Sequence, residues 1–314
     1  MKSLIIGAAG FVGKHLINYL KEKNEAICAT KLPHEALTIS GVDIVNLDIL
    51  NQDDISKLLI DFQPDYIYHL AAQSSVSVSW SKPALTIDVN IKGTVNLLEA
   101  ARFLEKKPRI LLIGSGEEYG YISSDDLPLK EETPLRPGNI YAGTKIAQGI
   151  FGQIYEKAYK LDIIIIRAFS HTGPGQTDTF VLPSFCKQIA MIEAGISPPI
   201  IKVGNLDAKR DFTDVRDVVS AYYLLAKKGI SGEIYNVGNS NSISIRTLLD
   251  KVLALSKIDI TVELDPARMR PSDVPIIEAD VSKLTSQTGW TPQIPLDVTV
   301  IDVLNEWRKL YKKH

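Results

Sequence analysis

The chain contains only two cysteines, Cys28 and Cys186, far apart and without a CxxC pair. That excludes a disulfide framework and a thiolate metal site; both read as buried small hydrophobes in a reducing compartment. The five histidines are scattered with no HxxxH pair, so no metal centre built from protein ligands is expected. No apolar stretch approaches the roughly 20 residues that cross a bilayer. The opening MKSLIIGAAGFVG is too rich in glycine, and its apolar run too short, for a signal peptide. Lys and Arg total 35 against 37 Asp and Glu, a net charge of -2, so no basic excess argues for nucleic acid as a partner. There is no internal repeat, low-complexity tract or long charge block. These absences leave a soluble, cytoplasmic protein as the expectation.

What is present is apolar bulk, 45% of 314 residues, in an alternating rhythm. Short Val/Ile/Leu runs at 3–6, 26–30, 42–45, 66–70, 109–113 and 163–166 read as strands buried on both faces. Helix-period segments fall between them at 11–20, 55–62, 83–104 and 139–159; the first puts Val12, Leu16, Ile17 and Leu20 on one stripe. Alternating strand and helix predict a doubly wound parallel sheet of the Rossmann type, class α/β. Beyond residue 170 the rhythm breaks up around HTGPGQ, SPP and MRPSDVP, with helices expected at 215–228 and 245–255. The expectation is a dinucleotide-binding domain over 1–170 and a smaller α/β, mainly substrate-binding region over 171–314, with interleaved boundaries.

Gly7, Gly10 and Gly13 form a GxxGxxG pattern between the first strand and the first helix. A sharp turn, a close backbone approach to a pyrophosphate and tight helix–strand packing each call for glycine. The helix start then offers the N–H groups of Phe11 and Val12 to the phosphates. The bland alternative is a tight strand–helix turn. At the end of the second strand stand Thr30 and Lys31 and no acid. An acid there would bind ribose hydroxyls, whereas a cation suits a 2′-phosphate, so NADP(H) is favoured and NAD(H) possible. Lys31 can equally be an ordinary solvated lysine.

Tyr141 and Lys145 make a YxxxK pair on one helix face. A lysine charge beside a phenol favours the phenolate and brings its pKa towards the working pH. Ser115 closes the fifth expected strand, the edge where open α/β sheets bind ligands, and its hydroxyl can reach the same carbonyl oxygen. The alternative is a surface i,i+4 pair and a turn serine.

With these motifs in order, the chain resembles the extended short-chain dehydrogenase/reductase family over nearly its whole length. Ser115, Tyr141 and Lys145 match that family's Ser/Thr–Tyr–Lys set. The resemblance implies that Asp48 and Ile49 sit by the adenine and that Leu70, Ala71 and Ala72 line the path to the nicotinamide ribose, with His171 also on the cofactor side. Asp48 read alone is equally a cap or turn residue. The stretch HLAAQSSVSVSW and the stretch RAFSHTGPGQ with FVLP resemble the GDP-mannose 4,6-dehydratases and their companion reductases. On that likeness Ser75, Ser170 and Val181 are substrate contacts, although the usual residue at Ser170 is Asn. Arg210 and Arg270 would grip a diphosphate, Asp273 a ribose or base, and Lys187 a further phosphate. Forked guanidinium donors suit a diphosphate, but each cation can also be a solvated or salt-bridged surface residue.

A sugar 4,6-dehydratase needs an eliminating acid–base residue just after the catalytic Ser/Thr. Here SGEEYG puts Glu117 in that register, but Gly116 replaces the flanking Asp or Ser. With the short chain and the cation at Lys31, this favours the reductase: an enzyme acting on GDP-4-keto-6-deoxy-D-mannose, a GDP-linked deoxy-keto-sugar, to give GDP-D-rhamnose. The dehydratase is the alternative and a nucleotide-sugar 4-epimerase comes third. A non-enzymatic NADP-sensing regulator is the alternative of another class. The resemblance also suggests a homodimer through the segments at 83–104 and 139–159.

Overall fold

The computed structural model describes residues 1–269 and 274–312. The first half runs β1 (Lys2–Ile6), α1 (Phe11–Glu22), β2 (Ala26–Lys31), β3 (Asp43–Asn46), α2 (Gln52–Phe62), β4 (Tyr66–His69), α3 (Val76–Ser81), α4 (Pro83–Ile87), α5 (Gly93–Arg102), β5 (Arg109–Ser115), α6 (Ile140–Tyr159) and β6 (Asp162–Ala168). It continues with β7 (His171–Thr172), α7 (Val181–Glu193), β8 (Ile200–Val203), β9 (Lys209–Asp211), β10 (Thr213–Asp214), α8 (Val215–Lys228), β11 (Ile234–Val237), β12 (Ser242–Ser244), α9 (Ile245–Leu253), β13 (Thr261–Leu264), β14 (Ile276–Ile277), α10 (Ser282–Thr288) and α11 (Leu296–Tyr311).

Seven strands form one parallel sheet in the order β11-β6-β5-β4-β1-β2-β3. Both faces are covered, and the side-chain period of two sorts each apolar run between them. Leu4 and Ile6 join Ile55 and Leu59 of α2 and Leu97 and Leu98 of α5 on one face. Ile5 points to the other face, with Leu16, Ile17 and Leu20 of α1 and Val218, Tyr222 and Leu225 of α8. Each such side chain, once fully buried, contributes about 1.5–3 kcal/mol of transfer free energy. The winding direction reverses between β1 and β4, so a crevice opens beyond their carboxyl ends.

Residues 1–170 supply six of the seven strands. The seventh, β11, and the covering helix α8 come from beyond them, which interleaves the chain halves. A separate core of Leu182, Phe185, Ile189, Ile201, Leu248, Val300, Val303 and Leu304 joins α7, α9 and α11 in a smaller lobe. The expected helix at 83–104 is α4 and α5 joined through a π-turn over Asp88–Lys92. The extra residue in that wider turn places Asn90, wholly buried, in the interior.

Candidate active site

The glycine turn lies at the head of the crevice. Gly7 has φ +86°, and a β-carbon there would come 2.6 Å from the Ala71 backbone. A β-carbon at Gly13 would overlap the Ala8 carbonyl, whereas at Gly10 the nearest atom is the Gly7 oxygen at 3.5 Å. Helix α1 starts at Gly10 with no side-chain cap and no acid in its first turn, so its N–H groups are left for an anion. Thr30, 1% exposed, accepts the Gly7 N–H on Oγ1 at 3.1 Å. Its hydroxyl braces the turn itself, a role not evident from its position beside Lys31. Lys31 Nζ donates to the Leu32 carbonyl at 3.4 Å. An acid does stand near the end of β2, folded back from the following turn: Glu35 Oε2 accepts the Leu32 N–H at 2.8 Å. Asp48 is exposed and accepts the Leu50 N–H at 2.9 Å in a local turn, while Ile49 is buried. Leu70, Ala71 and Ala72, all half-buried, leave the end of β4 at the crevice. His171 lies parallel to the Phe11 ring at 6.2 Å and donates from Nδ1 to the Phe169 carbonyl, 2.9 Å away. These groups fit a dinucleotide: a left-handed glycine, an uncapped helix start and small residues beneath it.

Ser115 ends β5 and caps the turn after it, its Oγ accepting the Glu117 N–H at 3.2 Å. Tyr141 and Lys145 stand one turn apart on α6, which Asn139 caps by accepting the Ala142 N–H at 2.8 Å. All three side chains are nearly buried, at 8%, 8% and 4% exposure. Burial raises the Tyr141 pKa, a hydrogen bond with Ser115 opposes it, and the Glu118 and Glu117 charges add to the rise. The expected lowering of this phenol is therefore not seen here. Lys145 Nζ instead donates to the Ile113 carbonyl at 2.7 Å and to Gln148 Oε1 at 3.0 Å. Burial lowers the Lys145 pKa to about 8, against an opposing pull from Glu118. Glu117, half-buried, receives Asn139 Nδ2 on Oε2 at 3.1 Å, tying it to the cap of α6.

Gly116 has a packing reason of its own. A β-carbon there would meet the Phe169 ring at 3.0 Å. Sequence reasoning missed several supports. Glu118 and Arg167 form a buried ion pair at 3.1 Å beneath Ser115. His69, wholly buried, has a pKa pushed down to about 3 by burial and then by Lys145. It donates through Nε2 to Thr94 Oγ1 at 3.0 Å, because Thr94 itself donates to the Asn90 carbonyl at 2.7 Å. Asn90 Nδ2 reaches Thr144, between Tyr141 and Lys145, at 2.9 Å and the Gln73 carbonyl at 3.1 Å. A second glutamate directly after Glu117 was the available signal for Glu118. A lone Asn in a helical run gave none.

The expected substrate contacts are spread over both lobes. Ser75 caps α3, accepting the Val78 N–H at 3.3 Å, and the Ser170 carbonyl accepts the Thr213 N–H at 2.9 Å. Val181 opens α7 half-buried. Lys187 pairs with Asp178 at 2.7 Å, so its charge is engaged by a neighbouring carboxylate and not held open. Arg210, 8% exposed on β9, donates to the carbonyls of Lys209 at 2.8 Å and Val274 at 2.7 Å. Arg270 and Asp273 lie outside the described residues.

A Rossmann-type sheet with an anion-ready glycine turn beside a Ser–Tyr–Lys cluster is the architecture of a nicotinamide-dependent oxidoreductase of the extended short-chain dehydrogenase/reductase class. Within it the chain belongs to the GDP-mannose 4,6 dehydratase family, whose pattern it matches over residues 4–303. It is 33% identical over 303 residues to the GDP-6-deoxy-D-mannose reductase of Pseudomonas aeruginosa, covering 96% of each chain. To the GDP-mannose 4,6-dehydratase of Yersinia enterocolitica it is 28% identical over 340 residues, covering 94% of this chain and 91% of that one. The structure of RMD from Pseudomonas aeruginosa complexed with NADPH superposes with a TM-score of 0.88 at 32% identity, over 99% of this chain and 100% of that one.

Proposed function

We propose that this chain reduces the 4-keto group of GDP-4-keto-6-deoxy-D-mannose to give GDP-D-rhamnose, using NADPH. The observation that carries the reading is the convergence of Ser115, Tyr141 and Lys145 at the carboxyl edge of the sheet, with Tyr141 held as a neutral phenol. NADPH, held at the glycine turn, would supply the hydride for sugar C4. Ser115 Oγ–H hydrogen-bonds the ketone oxygen and orients it. Tyr141 donates its proton to that oxygen, completing the alcohol. Lys145, charged below its pKa of about 8, steadies the phenolate that results. Lys31 is the cation offered to a 2′-phosphate, while Glu35 close by suits ribose hydroxyls, which keeps NADH open as a second donor. Arg210, with Arg270 and Asp273, is the set for the diphosphate and nucleoside, and Lys187 adds a phosphate contact only on leaving its pair with Asp178.

The dehydratase reading has one observation in its favour: a carboxylate, Glu117, beside the cluster and fixed by Asn139. Against it stands Gly116, which leaves Glu117 without an acid or hydroxyl neighbour on that side. Exposed Ile87, Ile150 and Ile154 on α4 and α6 support a homodimer through those helices. Two buried, unpaired cysteines fit a cytoplasmic setting. Among the described residues no helix is long and apolar enough to cross a membrane. The test is a pair of incubations, one with the keto sugar and NADPH and one with GDP-mannose alone. Stoichiometric loss of NADPH absorbance in the first supports the reductase. Water loss from GDP-mannose with no net use of cofactor overturns it.

A further inference from the structure

Beneath Ser115 lies a charge that the proposed reaction does not consume. Glu118 is 2% exposed, and both its oxygens are committed: Oε1 accepts the Ser115 N–H at 2.7 Å and Oε2 accepts Arg167 Nε at 3.1 Å. Burial raises its pKa, while Arg167, the Ser115 N–H and Lys145 pull the other way. With a donor on each oxygen, the carboxylate is the form this site accommodates. The fold keeps a place for it. Gly114 has no side chain, and a β-carbon there would overlap Glu118 Oε1 and come 2.7 Å from the Ile166 carbonyl. Arg167 is fixed in turn, its Nη1 donating to Tyr119 Oη at 3.1 Å and to the Glu131 carbonyl at 2.9 Å.

Ketone reduction starts from a protonated phenol and a charged lysine; oxidation of an alcohol by the same groups starts from the phenolate. Glu118 Oε1 holds the Ser115 N–H, Tyr141 bonds the Ser115 side chain, and Lys145 Nζ sits on the Ile113 carbonyl two residues back along the same strand, so a negative charge at Glu118 favours the first state. We propose that Glu118 is a positioning residue that seats Ser115 through its N–H and, through its buried charge, holds the Tyr141–Lys145 couple in the proton-donating state. This rests on the reductive reading above. The other groups facing the couple are Ser115 and Glu117 after β5, His69 at the end of β4, Gln148 on α6 and Tyr222 on α8. His69 is neutral and Tyr222 is pushed up by burial. Among the described residues Glu117 is the other carboxylate that acts on Tyr141, while Lys145 feels Glu118.

Three variants test the proposal. Glu118→Gln keeps the shape and loses the charge. Glu118→Asp keeps the charge and shortens the reach to Ser115. Glu118→Gln combined with Arg167→Met removes the pair as a unit, so that no buried guanidinium is left unpartnered should the single variant fail to fold. The first readout needs no turnover: the titration midpoint of Lys145 in the ligand-free protein, followed by NMR of ¹³C-labelled lysine and assigned with Lys145→Met. Burial should place it near 8 in the wild type. Glu118→Gln should lower it by on the order of one pH unit, the double variant by less because the opposing Arg167 charge goes with it, and Glu118→Asp should leave it in place. The second readout is the alkaline limb of NADPH-dependent ketone reduction, which should move with that midpoint, while Glu118→Asp lowers kcat without moving the limb. Unmoved midpoints in both charge-removing variants, or an equal displacement in Glu118→Asp, overturn the proposal. If the wild type leaves the ketone unreduced, the reductive reading fails by itself, and the Lys145 midpoint still decides the effect of Glu118.

Discussion

Replacing Gly114 by alanine tests the packing under Ser115. The added methyl would overlap Glu118 Oε1 and lie 2.7 Å from the Ile166 carbonyl. Neither neighbour can yield easily: one is a buried carboxylate tied to Arg167 and the Ser115 N–H, the other is backbone of a central strand. Overpacking of this kind costs about 1–3 kcal/mol. Displacing the carboxylate also breaks its charge-assisted bond to Ser115, worth about 1.5–3 kcal/mol. Together they remove about 2.5–6 kcal/mol from a total stability of about 5–15 kcal/mol. At about 2 °C per kcal/mol for a chain of this size, Tm should fall by roughly 5–12 °C. Gly143→Ala is the matched control, since a β-carbon at that helical position meets nothing within 4 Å. It should gain about 1 kcal/mol and raise Tm slightly. The assay is thermal unfolding by circular dichroism, with ketone reduction measured well below both midpoints. A Gly114→Ala protein melting within a degree or so of wild type would refute the placement of Glu118.

Other consequences follow from the same geometry. Tyr141→Phe should bind NADPH normally and lose about 10²–10⁴-fold in kcat, read by single-turnover absorbance. Ketone reduction should decline as pH rises through about 8, where Lys145 loses its proton and the steadying charge with it; a pH–rate profile with a flat limb to pH 9 would contradict this. Ile150→Glu, at a position 50% exposed on α6, should convert the proposed dimer into a 34.7 kDa monomer by light scattering, and a wild type already monomeric would contradict that proposal.

Much of the first half was legible because its signals are local. Strands buried on both faces read as apolar runs, and α1 shows its period without help. Ser115, Tyr141 and Lys145 were readable because strand end and helix face follow from spacing alone. In the second half the expected helices at 215–228 and 245–255 are α8 and α9, but other elements were not legible. Helix α11 reads LDVTVIDVLNEWRKLY, whose β-branched residues favour strand until packing against α7 and α9 decides otherwise. Strand β11 is four residues with Asn236 at its centre, tolerated there because that amide bonds Tyr119 Oη at 2.7 Å and the Leu129 carbonyl at 2.8 Å. Such partners lie more than a hundred residues away and leave no local trace. Gly116, read for its chemistry beside Glu117, also has a packing reason in the ring of Phe169 that the sequence does not display.

The central claim is that hydride ends on sugar C4 and stays there. Reduction of GDP-4-keto-6-deoxy-D-mannose with NADPH carrying deuterium at the transferring position puts that claim to measurement. The account predicts one deuterium at C4 of the product for each NADPH oxidised. Product without deuterium at C4, or turnover of GDP-mannose that leaves the label on the nicotinamide, would contradict it.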